Sequence, residues 1–467
     1  MNRLLLLVIM AISTMCYAQN KFNSGSISEK QLTQIKESYD INDAATKALT
    51  NALSNNDVKK IALNRYNLSD VEHGFTYKVN VKGISDQKSS GRCWMFTSMN
   101  VLRPEVIEKY NLSGFEFSHN YLYFWDIFEK ANLCLESQIN NADKPIDNKY
   151  VELFFKSPVG DGGVWNSFTN LADKYGMVPK EVMPETNTSE NTSWMIRIIK
   201  RKLRENGLEL RKLHTEKYKY PALEARKIEM LGDIYRILAM NLGEPPTEFS
   251  YRFKTKNDSV LVTKTYTPKS FMKDAIGEVD FNENIMLMND PTRDYYKMYE
   301  IDQDRNVMEG RNWTYLNLPN NEIKKFAIES IKNNYAMYAS CDVGKQLNSD
   351  IGYNDIDNYN FESLYGVKFG MNKAERITTF ESGSSHGMAL IAVDLDENNN
   401  PTKWQFENSW GAKSGHKGYL TFTDDWFNEY MFRVVVKKEF LDEKTIQLLD
   451  QKPIILPPWD PMFLMDE

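Results

Sequence analysis

Asp86-Gln-Lys-Ser-Ser-Gly-Arg-Cys-Trp94 is the stretch on which the reading of this chain turns. Beyond Gly91, the residues Met95, Met99, Leu102, Val106 and Tyr110 recur at steps of four, three, four and four, the spacing of a core-facing helical stripe. A glycine-ended loop followed by such a stripe puts Cys93 at a helix N-terminus. There the positive end of the helix dipole favours a thiolate over a thiol. Pro104 lacks the amide hydrogen that the helical ladder needs, so it is expected to kink or restart this helix.

A thiol that transfers acyl groups also needs a base, a group that orients the base, and donors for the oxyanion. The chain has five histidines. His214 lies in a charged run, His416 in a Gly-flanked loop, and His73 and His119 in what read as polar connections. His386 differs, because it follows the flexible Glu381-Ser-Gly-Ser-Ser385 and enters a β-type run, where it can present an imidazole at a cleft wall. A lone histidine there is more often structural, but Asn408 follows one strand later in Glu407-Asn-Ser-Trp-Gly411. A neutral amide accepts from an imidazole and fixes its ring without stripping its charge. Gln87, in the loop before Cys93, has an NH₂ group that can sit beside the Cys93 backbone N–H as an oxyanion hole. No His-Glu-x-x-His or paired Cys-x-x-Cys spacing suggests zinc, and no Gly-Lys-Ser/Thr loop suggests a phosphate cradle, so neither metal nor cofactor is expected.

The 467 residues, 42% of them hydrophobic, suffice for one elaborated domain or two. The first residues run Met1-Asn-Arg3, then the apolar stretch Leu4 to Ile12, then Cys16-Tyr-Ala18 ahead of Gln19. This reads as a secretory signal peptide over residues 1–18, cleaved on export to a periplasm or the exterior. A membrane anchor is the weaker alternative, since a bilayer needs about 20 apolar residues. Lipid attachment at Cys16 is weaker still, with bulky Met15 before it. Loss of Arg3 takes the net charge of −7 one unit lower, which argues against nucleic acid or anionic lipid as a partner. Cys93, Cys134 and Cys341 survive processing, an odd count that suggests one thiol kept free. A Cys134 to Cys341 bridge stays open beside the alternative of two buried thiols.

No repeat, low-complexity tract or flexible linker divides residues 30 to 467, which read as one interlocked body. Residues 28 to 65 read as helical and mostly solvated. Further helices are expected around Trp194 to Glu205, ended by Asn206-Gly207, and Ile228 to Leu242, ended by Gly243. Strands are expected at Met388 to Val393, Lys403 to Phe406, Tyr419 to Phe422 and Phe432 to Val436. Helices early and strands late predict an α+β architecture: a helical subdomain, an antiparallel sheet subdomain, and a cleft between them. The tail from Gln451, with Pro453, Pro457, Pro458 and Pro461, is expected to be extended.

The Asp86 to Trp94 string, Ser385-His-Gly-Met388 and Glu407-Asn-Ser-Trp-Gly411 together resemble papain-like cysteine peptidases, most closely the bleomycin hydrolase and aminopeptidase C family. The resemblance continues through Asp161-Gly-Gly163, Tyr175-Gly-Met-Val-Pro179, Cys341-Asp-Val-Gly-Lys345, Lys373-Ala-Glu-Arg376 and Trp459-Asp-Pro-Met462. It implies a papain-like peptidase domain over residues 19–467, enlarged by mainly helical insertions around residues 187–340. Cys93 and His386 then stand about 290 residues apart, against about 130 in smaller papain-like enzymes.

By motif match, the resemblance implies Cys93 as nucleophile, His386 as base and acid, Asn408 as orienter and Gln87 as oxyanion donor. Trp410 is implied to shield the His386 to Asn408 bond. Gly162 and Gly163 resemble the paired glycines whose backbone takes substrate as an added strand. In this family the C-terminal tail (451–467 here) lies in the cleft and its terminal carboxylate holds the substrate's free α-amine. That makes Glu467 a substrate-binding candidate and peptides with a free N-terminus the substrates. The tail ends Phe463-Leu-Met-Asp-Glu467, bulkier and more acidic than is usual in the family, and Gly387 stands where alanine is usual.

The family also resembles barrel-shaped hexamers, which implies a homohexamer. Arg197 to Lys227 holds eleven Lys or Arg against four acids, and this reads either as a solvated helical face or as a channel lining. A thiol endopeptidase is the alternative function if the tail does not gate the cleft. A non-catalytic binding scaffold is a further one.

Overall fold

In the computed structural model, residues 25–257 and 259–462 are described, so the signal-peptide reading and Glu467 lie outside them. The described chain divides into two compact units, residues 25–64 with 359–368 and residues 65–358 with 369–462.

The smaller unit holds helices Glu29–Lys36, Ala44–Asn55, Val58–Ala62 and Phe361–Tyr365. Ser28, Asp43 and Asp57 each accept a backbone N–H as N-caps, which stops the first three helices from fraying. The first two helices bury no residue, as the polar sequence of 28–65 leads one to expect.

Four helices matter most in the larger unit: α1, Cys93–Lys109; α2, His119–Asn140; α3, Ser193–Thr215; and α4, Tyr220–Leu242. Helix α1 starts at Cys93 and is buried around nearly its whole first three turns, polar Thr97, Ser98, Asn100 and Arg103 included. Pro104 does not restart it; the helix continues to Lys109, with Arg103, Val106 and Ile107 buried on either side of the proline. His119 is no part of a polar connection. It opens α2, buried, with its ring stacked on Phe96 at a centroid distance of 3.6 Å.

Helix α3 does not stop at Asn206-Gly207 but runs on to Thr215. A Cβ on Gly207 would lie 3.0 Å from Gln138 Cγ and 3.2 Å from Phe155 Cε1, so this glycine serves close packing on α2 and not a helix end. Helix α4 begins earlier than its apolar spacing suggests, with Pro221 in its first turn, and ends at Gly243, whose φ of 89° suits glycine alone.

The main sheet contains β1 (Tyr77–Lys78), β2 (Asn284–Met288), β3 (Lys297–Ile301), β4 (Thr314–Asn317), β5 (Met337–Cys341), β6 (Leu347–Asn348), β7 (Tyr353–Asn354), β8 (His386–Leu395), β9 (Pro401–Glu407), β10 (Tyr419–Thr423), β11 (Met431–Lys437) and β12 (Ile454–Leu456). Their order is β12-β3-β4-β2-β11-β5-β8-β9-β10-β7-β6, with β1 also on β8. The four strands read from sequence are β8 to β11, each a residue or more longer than its apolar run. Most pairs are antiparallel, but β2–β4, β3–β12 and β7–β10 are parallel, so the sheet is mixed.

Strands β2 to β4 come from within the segment read as a mainly helical insertion, and they extend the sheet beyond β11. The tail adds β12 at the edge, which accounts for its extended sequence. Cys134 and Cys341 are buried and free, so no bridge joins them. Burial pushes the Cys134 thiol up to about 12.

Candidate active site

Strand β8 begins at His386, which lies opposite Cys341 of β5. Helix α1 packs against this strand from the other side, and the Gly387 N–H points at Cys93 Sγ over 3.5 Å. The thiol at the helix start and the imidazole at the strand start therefore meet because two element ends coincide.

His386 Nε2 lies 2.8 Å from Asn408 Oδ1. That oxygen also accepts the Ser409 backbone N–H at 2.8 Å, which identifies it as oxygen and makes Nε2 the protonated ring nitrogen. Nδ1 is left as the basic nitrogen. Burial holds the His386 imidazole down at about 4, with the Asn408 hydrogen bond opposing that shift. The Trp410 ring lies 4.8 Å from the His386 ring, tilted by 33°.

Gln87 is buried in the loop before α1. Its Oε1 accepts from Ser409 Oγ at 2.6 Å, and its Nε2 donates to the Ser90 carbonyl at 2.7 Å. One N–H of the amide is spent in this way, and the second is available to an oxyanion. Gln87 is thus tied to the residue after Asn408.

A longer-range pair ties the same segments together. Arg103, on α1, donates to Glu407 Oε1 at 2.6 Å, to Asn100 Oδ1 at 3.1 Å and to the Gly83 carbonyl at 3.0 Å. Asn100 in turn donates to Ser85 Oγ at 2.8 Å. Both members of the Arg103–Glu407 pair are almost fully buried, and burial lifts the Glu407 carboxyl to about 7 against the pull of Arg103. Through Arg103 and Asn100 the helix that opens at Cys93 is tied to Glu407, the residue before Asn408, and to Ser85, two residues before Gln87. The sequence gives no sign of this pair: Glu407 adjoins Asn408 in its motif, and nothing local marks Arg103 as its partner.

Gly162 and Gly163 face the same cavity, of about 210 Å³, as Cys93 and His386. A Cβ on Gly163 would fall 2.6 Å from the Trp94 indole, so no side chain fits there. Trp94 Nε1 donates to the Asp161 carbonyl at 2.7 Å, and Lys130 Nζ to the Gly162 carbonyl at 2.6 Å, which holds this backbone against the cleft. Met462 lines the same cavity and is wholly buried. The tail reaches it by way of β12, by Trp459 against Tyr150 at 5.1 Å between ring centroids, and by an Arg293 to Asp460 ion pair. Asp304 and Arg433 also line the cavity, and no motif pointed to either.

Among the described residues no cluster of His, Cys, Asp or Glu could hold a metal ion, and no helix is long and apolar enough to cross a membrane. The chain is similar to aminopeptidase C of Lactobacillus delbrueckii subsp. lactis, 37% identical over 88% of this chain and 92% of that protein. It is also similar to human bleomycin hydrolase, 37% identical over 89% of this chain and 94% of that protein. Its fold is papain-like and matches the crystal structure of PepW from Lactobacillus rhamnosis with a TM-score of 0.91, at 35% identity over 94% of this chain and 99% of that one. A profile of the Peptidase C1-like family spans residues 26–463, and with such relatives aligned over nearly the whole of both chains, this protein belongs to that family and is a cysteine peptidase.

Proposed function

We propose that the protein is an exported cysteine aminopeptidase that removes N-terminal residues from peptides through a thioester on Cys93. The observation that carries this reading is Met462 in the cavity of Cys93 and His386, which brings the C-terminal tail to the place where a substrate's free end must stop. The similarity to proteins named aminopeptidase C and bleomycin hydrolase supports it.

In the reaction the Cys93 sulfur attacks the first peptide carbonyl carbon, and the carbonyl electron pair moves onto oxygen, where the Cys93 N–H and the free Gln87 N–H stabilise it. His386 takes the thiol proton on Nδ1 as the sulfur attacks and passes it to the leaving amine nitrogen as the C–N bond breaks. Water then gives a proton to Nδ1 and attacks the thioester. Collapse returns the proton to sulfur and frees the amino acid. Asn408 keeps the ring aimed through both steps, and Glu467 is the proposed terminal anchor for the substrate amine. Residues 1–18 are the proposed cleaved export signal, and a homohexamer is the proposed assembly.

The test is hydrolysis of fluorogenic aminoacyl substrates with free and acetylated amines by residues 19–467 under reductant, with Cys93→Ala as the blank. Cleavage confined to free amines and absent from Cys93→Ala is expected; cleavage of acetylated substrates or internal bonds would sink the aminopeptidase reading in favour of an endopeptidase. Mass spectrometry of the same sample reports whether Glu467 is retained. N-terminal sequencing of exported protein is expected to begin at Gln19, and light scattering measures the assembly.

A further inference from the structure

An enzyme that acylates its cysteine with a single N-terminal residue must accommodate that residue's α-ammonium on the acyl side of the scissile bond, along Gly162 and Gly163. A desolvated ammonium needs a carboxylate or several carbonyls around it. Among the described residues lining the cavity, Asp304 is the one carboxylate.

The surroundings of Asp304 suit that task. Its backbone is pinned in the turn between β3 and β4: its carbonyl accepts the Trp313 N–H at 2.9 Å and Asn166 Nδ2 at 3.2 Å. No hydrogen bond or ion pair joins its carboxylate to a described residue, and Asp304 lines the cavity. Two cations act on it. Lys130 is committed elsewhere, with Asp126 Oδ2 at 2.7 Å, the Gly160 carbonyl at 2.9 Å and the Gly162 carbonyl at 2.6 Å using all three of its donors. Arg433 lies over the Trp313 ring at 3.9 Å. Burial raises the Asp304 carboxyl to about 6, with Arg433 and Lys130 pulling it back, so it is largely ionised at neutral pH. Gly162 and Gly163 line the same cavity as Asp304.

We infer that Asp304 receives the substrate's α-ammonium and so determines specificity for free N-termini, an anchor in the body of the cleft in addition to any the tail supplies. The inference rests on the aminopeptidase reading.

The experiment compares full-length enzyme with Asp304→Asn and Asp304→Glu on an aminoacyl coumarin amide and on its des-amino analogue, in which hydrogen replaces the amine. For Asp304→Asn the preference for the amine substrate, as the ratio of kcat/KM values, is expected to fall about 10- to 100-fold, mainly through KM, the size of a lost charge-assisted hydrogen bond. Asp304→Glu keeps the charge and is expected to retain most of the preference, which also guards against an Asn variant that fails to fold. An equal loss on both substrates, or no loss, would overturn the anchor while leaving the aminopeptidase reading intact. A wild-type enzyme indifferent to the amine would overturn both.

Discussion

Helix α1 and the helical pair α3–α4 occupy opposite extremes of how a helix is held. In α3 and α4 a single apolar stripe is buried, Ile199, Leu203 and Leu210 on one and Met230, Ile234 and Leu238 on the other, while Trp194, Ile198, Ile228 and Met240 stay exposed. Several basic residues of this region are tied to neighbouring segments: Arg204 and Arg211 donate to main-chain carbonyls, and Lys227 pairs with Glu136 of α2 in the one buried ion pair described there. In α1 almost every side chain of the first three turns is buried, and its polar groups must find buried partners. The helix that opens at Cys93 is enclosed around its first three turns and needs buried partners for its polar groups, whereas α3 and α4 are held mainly by one apolar face.

That contrast is easiest to break at Arg103. Replacing it with Met strands the Glu407 carboxylate inside the protein, and the expected loss is about 3–5 kcal/mol of stability by denaturant melts. Activity is expected to fall further than stability explains, because Glu407 and Ser85 hold the chain next to Asn408 and Gln87; a variant as stable as wild type would show that the pair is dispensable.

The next effect is on pH. Since burial holds His386 at about 4, below its ordinary 6.5, the ring stays unprotonated as pH falls through 6.5 and loses its base form only near 4. The acid limb of kcat/KM is therefore expected below pH 6.5. A limb above 6.5 would mean that the site is wetter than its packing implies.

Gly207→Leu probes the second region at its tightest point. The new side chain meets Gln138 and Phe155 with no room to turn, and about 1–3 kcal/mol of destabilisation is expected, with kcat/KM nearly unchanged once folded enzyme is counted. The smallest effect is expected at Arg226, which pairs with Glu209 at 2.7 Å and Glu229 at 2.6 Å on the surface. Its replacement by Ala should cost within about 1 kcal/mol, and less still in high salt.

The sequence alone determined the chemistry and its order along the chain: a cysteine after a glycine-ended loop at a helix start, a histidine entering a strand, and an asparagine at the end of the next strand. Each signal spans a few residues, because capping, apolar periodicity and turn residues act locally. The amphipathic helices and strands β8 to β11 were legible for the same reason. The Asn206-Gly207 pair was misread because glycine ends helices and also lets them touch, and only the neighbour decides which.

Tertiary structure decided what depends on distant partners. Arg103 meets Glu407 across 304 residues, Met462 enters the cavity of Cys93, and Asp304 arrives there on a turn with no motif of its own. Strands β2 to β4 join the main sheet by pairing with β11 and with one another, and much of their apolar surface is buried there. Such pairings follow from which surfaces exclude water together, a property of the whole folded chain and not of any short segment of it.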